Sequence, residues 1–503
     1  CNHNLCPTLE TAITFIMTTK TTTTTTTTVS APGKILLAGG YTVLESPNVG
    51  VVLAVDKKFY TTVVKHGSGE PDTKKAKLDE ESAAVTVHSP QFGATWKYNA
   101  KKGDKGLELV ADEENKTSNS FVEKTLRITL AYLCTDKPLC DLEITILGDN
   151  DFYSVTPHLQ SRNWDATAEN LAKLPKFLLC NLSSGSLQKT GLGSSAALTT
   201  SLVGALVLAM TGSTDMEDAT RRRIHNLAQI CHCHAQGKVG SGFDVSSASY
   251  GSHVYQRFPK CLLSDLLAEL DKIGANPMPQ TKAETLQHLV EESPDNFQWR
   301  ISQKPMSWNT DLLQIMLADV SGGSESPSMA RKILSWKAGS TDRSCWTNLL
   351  KCNQEVVDIS DKIVESLKGA DSKRIAEMTK SFSTRKLDGS SGESNVTLDE
   401  QTTAVGGLLC ELRKTLSECR KNLKKMGDLA EVPVEPDEQT ALADATMDVP
   451  GVVASLVPGA GGYDALVVVY VNTPPVRDQI CDLWRNYKAL DVCPLAVQYA
   501  PYG

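Results

Sequence analysis

The sequence has no excess of positive charge and no long hydrophobic run. Of its 503 residues, 51 are Lys or Arg and 59 are Asp or Glu, which gives a formal net charge of −8. This balance argues against a nucleic acid or an anionic membrane surface as the main partner. No apolar stretch reaches the roughly 18 residues that a membrane-spanning helix needs. We therefore expect a protein with neither a nucleic-acid partner nor a membrane partner.

We also expect neither a disulfide framework nor a secretory signal. The 14 cysteines are irregularly spaced along the chain, which is typical of reduced, mostly buried thiols in a cytoplasmic protein. The run Cys231-His232-Cys233-His234 resembles a metal site. It follows apolar residues at helical spacing, so adjacent side chains should point in different directions, and no second cluster has zinc spacing. We therefore expect a cytoplasmic protein, without structural zinc at this run.

The length and the hydrophobic content of 41% fit a globular protein of two or more domains. Residues 1–28 differ in composition, because Thr21–Thr28 is an unbroken threonine tract. Such a tract buries little apolar surface, so we predict that residues 1–28 are disordered. The chain then reads as strand-rich up to about residue 260 and helix-rich beyond it. We therefore predict one domain at residues 29–260 and a second at residues 261–503.

Several elements follow from hydrophobic periodicity. Helices are predicted at Phe121–Cys134 and Met216–Ala235. Strands are predicted in the first domain, and a turn of small residues bearing one acid is predicted before a further strand. The predicted strands are Val49–Val55, Phe59–Val64 and Asp141–Leu147, with a strand, a turn and a strand over Val29–Tyr41; the predicted turn is Lys238–Ala248.

A glycine-rich segment stands just before an apolar stretch of helical length, Ala196–Met210; it reads Lys189-Thr190-Gly191-Leu192-Gly193-Ser194-Ser195-Ala196-Ala197. A helix N-terminus carries unpaired N–H groups and about half a positive charge, which suits a phosphate. The two glycines leave room for an anion, and the serine hydroxyls can cap the helix or contact a metal ion. A capped helix start without any ligand is the alternative.

Two other phosphate-binding loops fit this segment less well. A Walker A loop would close with Gly-Lys-Ser/Thr, which is absent here. A dinucleotide-binding loop fits the pattern Gly-x-Gly-x-x-Ala but requires an acidic residue about 20 positions later, at the end of a second strand. Asp215 has that spacing, yet it lies in a polar turn after a helix. This placement disfavours a dinucleotide site.

Three segments occur in the order that is found in the GHMP kinases, a family of small-molecule kinases. They are Pro32-Gly33-Lys34 through Gly40, Gly191–Ala197, and Gly459-Ala460-Gly461-Gly462-Tyr463-Asp464-Ala465. Finer features resemble the eukaryotic type of phosphomevalonate kinases within that family: Asn150–Ser154, Lys189-Thr190, Gly240–Asp244, and Glu435-Pro436 with Gln439-Thr440. The resemblance covers about residues 29–499.

The resemblance implies an α+β fold of two domains with the active site between them. The first domain would resemble the second domain of a small-subunit ribosomal protein, and the second would be ferredoxin-like. The implied activity is transfer of a phosphoryl group from ATP, with Mg²⁺, to 5-phosphomevalonate in isoprenoid and sterol precursor synthesis. Two alternatives remain, namely mevalonate kinase or another GHMP kinase, and a non-catalytic ligand-binding regulator on the same scaffold.

Matching the motifs residue by residue implies the roles of individual side chains. Lys34 and Asp244 would be catalytic, with Lys34 paired to Asp244 and in contact with the transferring phosphoryl group. The ATP phosphates would be bound by Lys189, Thr190, Gly191, Leu192, Gly193, Ser194, Ser195 and Ala196, with Ser195 as a ligand of Mg²⁺. The substrate would be contacted by Ser326, Ser328, Arg257, Gly461 and Gly462.

Each of these roles has a structural alternative. The lysines can be solvated, Asp244 can cap a helix, and the glycines of the third motif can form a plain turn. Ser326 and Ser328 can cap a helix, and Arg257 can be a surface residue of a strand. The sequence also has Gly39-Gly40-Tyr41 where many relatives have Gly-Glu-His, which leaves no obvious second carboxylate for the metal.

Overall fold

The computed structural model describes residues 20–21, 24–66, 82–135, 137–180, 188–291, 299, 302–306, 308–320, 326–389, 399–463, 465–495 and 497–501. Across these ranges it contains a 10-stranded sheet and a 4-stranded sheet, each packed against helices. The mixed α+β architecture confirms the predicted fold class.

The strands are β1 (Lys20–Thr21), β2 (Thr24–Ala38), β3 (Val49–His66), β4 (Ser82–Ser89), β5 (Ala94–Gly103), β6 (Gly106–Ala111), β7 (Leu142–Gly148), β8 (His253–Gln256), β9 (Ser302–Pro305), β10 (Leu313–Val320), β11 (Val452–Leu456), β12 (Ala465–Val471), β13 (Val492–Leu495) and β14 (Tyr499–Ala500). The helices are α1 (Ser120–Leu133), α2 (Thr156–Gln160), α3 (Ala168–Ala172), α4 (Ser194–Thr211), α5 (Asp218–Gln236), α6 (Phe243–Tyr250), α7 (Cys261–Ile273), α8 (Gln280–Val290), α9 (Ser326–Gly339), α10 (Ser344–Ser366), α11 (Ser372–Phe382), α12 (Glu400–Leu429), α13 (Asp437–Met447) and α14 (Pro474–Arg485).

The first sheet is built around the long antiparallel pair β2–β3, in the order β1-β2-β3-β7-β4-β5-β6, with β8 and β14 also paired to β3. The apolar helix α4 packs against β2 and β3, and α1 and α5 pack against α4. Helix α4 is long and apolar enough to cross a membrane, but 83% of it is buried inside the protein. It is therefore placed as the central core helix, and its N-terminal end lies beside β2.

Strand β2 differs from the sequence-based expectation at its start. Thr24–Thr28, part of the segment predicted to be disordered, pairs in register with β3 as far as His66. The Thr28 hydroxyl also lies 2.9 Å from that of Thr62. Threonine is β-branched and fits a strand that has a partner. The rest of the predicted disordered segment lies outside the described residues, apart from Lys20–Thr21, which forms β1.

Strands β2 and β3 are each longer than predicted, because each of them was predicted as two strands. The expected strand, turn and strand over Val29–Tyr41 is one strand as far as Ala38, and the two strands expected at residues 49–64 are the single strand β3. Register shifts between Pro32 and Lys34 and between Leu36 and Ala38 bend β2 without ending it. The predictions of helices α1 and α5 and of strand β7 are confirmed.

The second sheet has the order β11-β12-β10-β13, and all of its neighbouring strands are antiparallel. Along the chain it reads as strand, helices, strand, strand, helix, strand, which is the ferredoxin-like pattern. Helices α13 and α14 cover one face, with Leu442, Val468, Ile480 and Trp484 in a shared core. The expected ferredoxin-like second unit is therefore confirmed.

Segments beyond residue 260 still belong to the first sheet. Strand β9 pairs with β8, and helices α7 and α8 pack against α5. Strand β14 returns from the far end of the chain to pair with β3 at Val55 and Ala54. We therefore propose that the division between the two units follows Pro305 rather than residue 260.

Candidate active site

The glycine-rich loop ends at the N-terminus of α4, and no side chain caps that end. The N-cap residue is Gly193, in a left-handed conformation with φ of 79°, and it forms no side-chain capping bond. The alternative in which the serines only cap the helix is therefore wrong. The first N–H groups of α4 remain directed out of the helix end, where they can bind an anion.

Two side chains of the loop are buried and hydrogen-bonded within the protein, whereas a third is exposed. Thr190 is fully buried and its hydroxyl donates to the Asp151 carbonyl oxygen. Ser194 is 7% exposed and its side chain forms a hydrogen bond with that of Tyr153. Lys189 is exposed. Thr190 and Ser194 therefore offer a ligand their backbone rather than their hydroxyls.

Lys34 reaches from β2 across the loop. Its Nζ donates to the Gly191 carbonyl oxygen at 2.8 Å and lies 5.3 Å from the centre of the Phe243 ring. Burial lowers the pKa of Lys34, and the negative charge of Asp244 offsets part of that effect. The predicted direct pair between Lys34 and Asp244 is wrong, because no ion pair within 4.0 Å joins these two described residues. The Gly191 carbonyl holds the ammonium group instead.

Asp244 lies in the first turn of α6, so the predicted small-residue turn is the start of a helix from Phe243 onward. Its Oδ1 accepts the N–H of Val245 at 3.0 Å, and its Oδ2 lies 3.9 Å from Nε2 of His232. The carboxylate is 19% exposed. One of its oxygens is therefore partly engaged by the helix start, while the side chain as a whole still reaches the cleft.

His232 connects the loop to Asp244. Its ring is 2% exposed, and Nε2 lies 3.1 Å from Oγ of Ser195 and 3.3 Å from Nε2 of Gln236. Burial lowers the pKa of His232, which favours the neutral ring. Its neighbour His234 faces Asp271 at 3.3 Å. The two histidines of this run therefore point in different directions, as expected for residues on a helix.

The third motif lies directly on the first. The Gly459 N–H donates to the Leu36 carbonyl oxygen at 3.2 Å, and the Tyr41 hydroxyl donates to the Ala460 carbonyl oxygen. A Cβ atom at Gly40 would come within 2.8 Å of the Gly459 carbonyl oxygen. Because the second motif contacts Lys34 of the first, all three motifs converge on one place between the two sheets.

Gly461 and Gly462 pack against the main chain of Val434. A Cβ atom at Gly461 would lie 2.1 Å from the Val434 carbonyl oxygen, and the Gly462 N–H donates to that same oxygen at 3.0 Å. Gly461 also has φ of 80°, in the left-handed region. These glycines therefore allow the close backbone approach that shapes the floor beneath the first motif.

Arg257 does not face the cleft as an open phosphate ligand. It is 5% exposed, and its guanidinium donates to the carbonyl oxygens of Leu44 at 2.6 Å, Val239 at 3.1 Å and Gly240. Three carbonyl groups from two loops therefore hold it. These bonds disfavour the prediction that Arg257 binds the substrate phosphate, and the alternative of a surface arginine is wrong.

Ser326 and Ser328 open helix α9; the side chain of Ser326 lies outside the described residues. Arg331, one turn further along, lies close to Lys238 in the loop before α6. The pKa of Lys238 is lowered by burial, raised by the charge of Asp244 and lowered by that of Arg331. The start of α9 therefore adds positive charge to the surroundings of Asp244.

A cavity of about 440 Å³ lies beside the segment 149–151, which contacts the loop through Thr190. Its polar lining includes Lys57, Tyr60, Asp149 and Asp151. Burial raises the pKa of Asp149 and that of Asp151, while the charge of Lys57 offsets part of the rise in both pKa values. The main-chain oxygen of Asp151 accepts the hydroxyl of Thr190, so a residue that lines the cavity is bonded to the glycine-rich loop.

Sequence reasoning missed four residues of this region or gave them another meaning. His232 was considered only within the Cys/His run, and Lys238 and Phe243 only as parts of a turn; Arg331 was not singled out. The spacing of His232 and Gln236, one helical turn apart on the helix that leads to Asp244, is the one signal that could have placed His232 at the site.

Comparison with known proteins agrees with this geometry. Residues 164–252 match the family model described as GHMP kinases N terminal domain. The chain is 34% identical over 486 residues to phosphomevalonate kinase erg8 of Aspergillus fumigatus, covering 92% of this chain and 90% of that protein. It is 32% identical over 508 residues to the peroxisomal phosphomevalonate kinase of Arabidopsis thaliana, covering 94% of each.

A solved structure shows the same fold. The phosphomevalonate kinase of Streptococcus pneumoniae, in complex with phosphomevalonate and AMPPNP, aligns with a TM-score of 0.54 at 12% identity, over 94% of this chain and 99% of that one. The identity of 34% and 32% to these two relatives extends over more than nine tenths of the chain. Together with the three converging motifs, it settles the assignment. The chain belongs to the phosphomevalonate kinase family of the GHMP kinases.

Proposed function

We propose that the protein transfers the γ-phosphoryl group of ATP to 5-phosphomevalonate, giving 5-diphosphomevalonate and ADP in the mevalonate pathway. Membership of the phosphomevalonate kinase family supports this activity. The observation that carries it is the meeting of the uncapped N-terminus of α4, the Lys34 ammonium group and the Asp244 carboxylate in one cleft.

In this proposal the loop binds the nucleotide phosphates mainly through its backbone. The N–H groups at Gly191–Ala196 face the anion, and the helix end adds its partial positive charge. Lys189 contributes a further charge beside the loop. The buried hydroxyls of Thr190 and Ser194 hold the loop in shape rather than contacting the phosphates.

The acceptor explains why cations dominate the site. The attacking atom is a phosphate oxygen that is already ionised at neutral pH, so repulsion between two anions is the larger barrier. Lys34 is placed to neutralise charge on the transferring group, because the Gly191 carbonyl oxygen holds its ammonium beside the loop. We assign Asp244 to orienting the acceptor and the surrounding cations, with proton abstraction as a secondary role.

The residues present fit a Mg²⁺ ion that arrives with the nucleotide. Within the part of the chain that the structure describes, no group of three or more His, Cys, Asp or Glu side chains could hold a metal alone. Mg²⁺ is commonly bound through one or two protein oxygens together with substrate phosphates and water. Ser195 offers a hydroxyl and Asp244 a carboxylate, and both groups lie beside Nε2 of His232. When bound, the ion would neutralise phosphate charge.

We place the substrate on the side of Asp244 that faces α9. Ser328, with Ser326, lies at a helix N-terminus that suits the phosphate already present on the substrate. The charges of Lys238 and Arg331 add to this anion-attracting surface. Gly461 and Gly462 act indirectly, since they shape the floor against Val434.

The cavity beside the loop is the proposed place for the nucleoside part of ATP. A volume of about 440 Å³ suits a nucleoside-sized group. The carboxylates of Asp149 and Asp151 can accept hydrogen bonds from ribose hydroxyls or from an amino group, and the Tyr60 ring offers an apolar face. The Thr190–Asp151 bond joins this cavity to the phosphate loop.

The test is coupled ADP release measured with 5-phosphomevalonate and, separately, with mevalonate. We expect turnover with the phosphorylated acceptor and little with the unphosphorylated one. Turnover restricted to mevalonate would overturn the proposal in favour of mevalonate kinase. ATP binding without turnover of either acceptor would favour the non-catalytic regulator.

We also propose a cytoplasmic location. The cysteine usage supports it, because all 12 cysteines among the described residues are free thiols. The Arabidopsis relative is named peroxisomal, so the alternative compartment is the peroxisome. Microscopy of the native protein with a peroxisomal marker separates the two.

A further inference from the structure

The Cys/His run on α5 contains one side chain, His232, that lies at the candidate site and has no role in the proposed mechanism. His232 is 2% exposed and packs beside the Phe121 ring, with the ring centres 5.6 Å apart. It lies between the loop, through Ser195, and the start of α6, through Asp244. Nε2 of this buried ring therefore lies beside two residues of the candidate site, so His232 can have a role there in addition to packing.

The neighbours of Nε2 determine which way its hydrogen bond runs. Gln236 presents its amide nitrogen to Nε2 at 3.3 Å, which fits the tautomer that carries its proton on Nδ1 and accepts at Nε2. In that tautomer the Ser195 hydroxyl, 3.1 Å away, donates its proton to the same ring nitrogen, whose single lone pair the two donors share. A hydroxyl that donates inward keeps both of its oxygen lone pairs on the outward side. Ser195 is half-buried at the helix end, so those lone pairs face the cleft.

We propose that His232 is a positioning residue for nucleotide binding, which fixes the Ser195 hydroxyl so that its oxygen, and not its proton, faces the incoming nucleotide and its cation. This inference rests on the proposed function only in taking ATP as the ligand of the loop. Without the acceptor at His232, the Ser195 hydroxyl is free to rotate. It must then be ordered when the nucleotide binds, which weakens binding.

Two amide substitutions separate this role from packing. In His232→Gln the longer side chain can place its carbonyl oxygen near the former Nε2 position and can still accept from Ser195. In His232→Asn the amide ends nearer the former Nδ1 position and does not reach. The matched control is His234→Asn, which makes the same change two residues along the same helix, in a buried side chain that faces Asp271.

The measurement is the dissociation constant for ATP with Mg²⁺ by isothermal titration calorimetry, with no acceptor present. Removing a residue that orients a ligand group typically costs 10- to 100-fold. We expect H232N to weaken ATP binding by about tenfold or more, and we expect H232Q and H234N to stay within about threefold of the unmodified protein. Melting temperatures measured alongside identify any variant that fails to fold.

A double-mutant cycle tests whether His232 acts through Ser195. We expect Ser195→Ala to weaken ATP binding by itself, and H232N to add less than a further twofold in that background. Independent, multiplying effects would overturn the inference, as would an H232Q protein that binds as weakly as H232N. Because no acceptor is used, failure to turn over phosphomevalonate would count against the proposed function and not against this inference.

Discussion

A single methyl group at Gly193 should disturb catalysis through Lys34. A Cβ atom there would lie 3.1 Å from Cε and 3.3 Å from Cγ of Lys34, closer than an ordinary carbon contact of about 3.5–4.0 Å. The lysine side chain must therefore move by a few tenths of an ångström. Gly193→Ala also places a side chain at φ of 79°, which costs about 1–2 kcal/mol.

Gly212 supplies a matched control for the backbone cost. It lies at the opposite end of the same helix, has φ of 73°, and a Cβ atom there would meet nothing within 4 Å. Gly212→Ala should therefore lose about the same stability as Gly193→Ala. Any further effect of G193A then belongs to the contact with Lys34 and to the phosphate loop.

The assay is coupled ADP release at saturating ATP and phosphomevalonate, together with thermal unfolding of both variants. A misplacement of about 1 Å at a reacting group can cost about 100-fold, so a shift of a few tenths should lower kcat by roughly tenfold in G193A. G212A should keep its kcat. If the two variants have equal kcat values, displacing Lys34 does not affect catalysis, and the reasoning fails.

Three further predictions concern four side chains in or near the cleft. Asp244→Asn should lower kcat by about 100-fold or more with little change in the melting temperature, and steady-state kinetics would contradict its role if turnover stayed near normal. Burial lowers the pKa of Lys34 below its ordinary 10.5, so the folded protein binds that proton less tightly than the unfolded chain does. Lys34→Met should therefore unfold at a higher temperature than the unmodified protein at pH 7. This difference in melting temperature should narrow as the pH rises towards 10.5, because the unmodified protein then loses its buried charge. A series of melting curves in which the difference stays constant would contradict the prediction. Arg257→Met should destabilise the fold by about 3 kcal/mol, because its hydrogen bonds to carbonyl oxygens are lost, and should not change KM for phosphomevalonate. Lys238→Met should raise that KM about tenfold and leave stability unchanged. The reverse pattern in denaturant titrations and kinetics would support Arg257 as the phosphate ligand.

The parts of the fold that the sequence predicted well are those set by local periodicity. Helices α1 and α5 and strand β7 bury one regular face each, so the pattern of apolar residues is sufficient to find them. The start of α4 was equally clear, because the glycines and serines precede a long apolar run. Local patterns do not show which distant segment pairs with a polar one. Thr24–Thr28 therefore looked disordered, although β3 pairs with it.

The candidate site shows the same division between motif and partner. The three glycine-containing motifs identified the cleft and, within it, Lys34, Ser195 and Asp244. The partners of the two basic side chains, Lys34 and Arg257, are main-chain carbonyl oxygens far away in the sequence, and no motif identifies these oxygens as partners. The Gly191 carbonyl oxygen, and not Asp244, binds the Lys34 ammonium group. The Arg257 guanidinium donates to the carbonyl oxygens of Leu44, Val239 and Gly240. Hydrogen bonds to main-chain oxygens depend on chain geometry and carry no residue signature.

The bonds from Gly459 to Leu36 and from Tyr41 to Ala460 restrict how the two halves of the enzyme can move. They join main chain of the ferredoxin-like half to β2 and the turn after it, directly beneath the cleft. Any separation of the halves that keeps these bonds must be a rotation about them, with a small displacement at the floor and a larger one at the rim. Substrates would then enter and products leave over the rim, while the distance between Lys34 and the loop stays constant throughout the cycle.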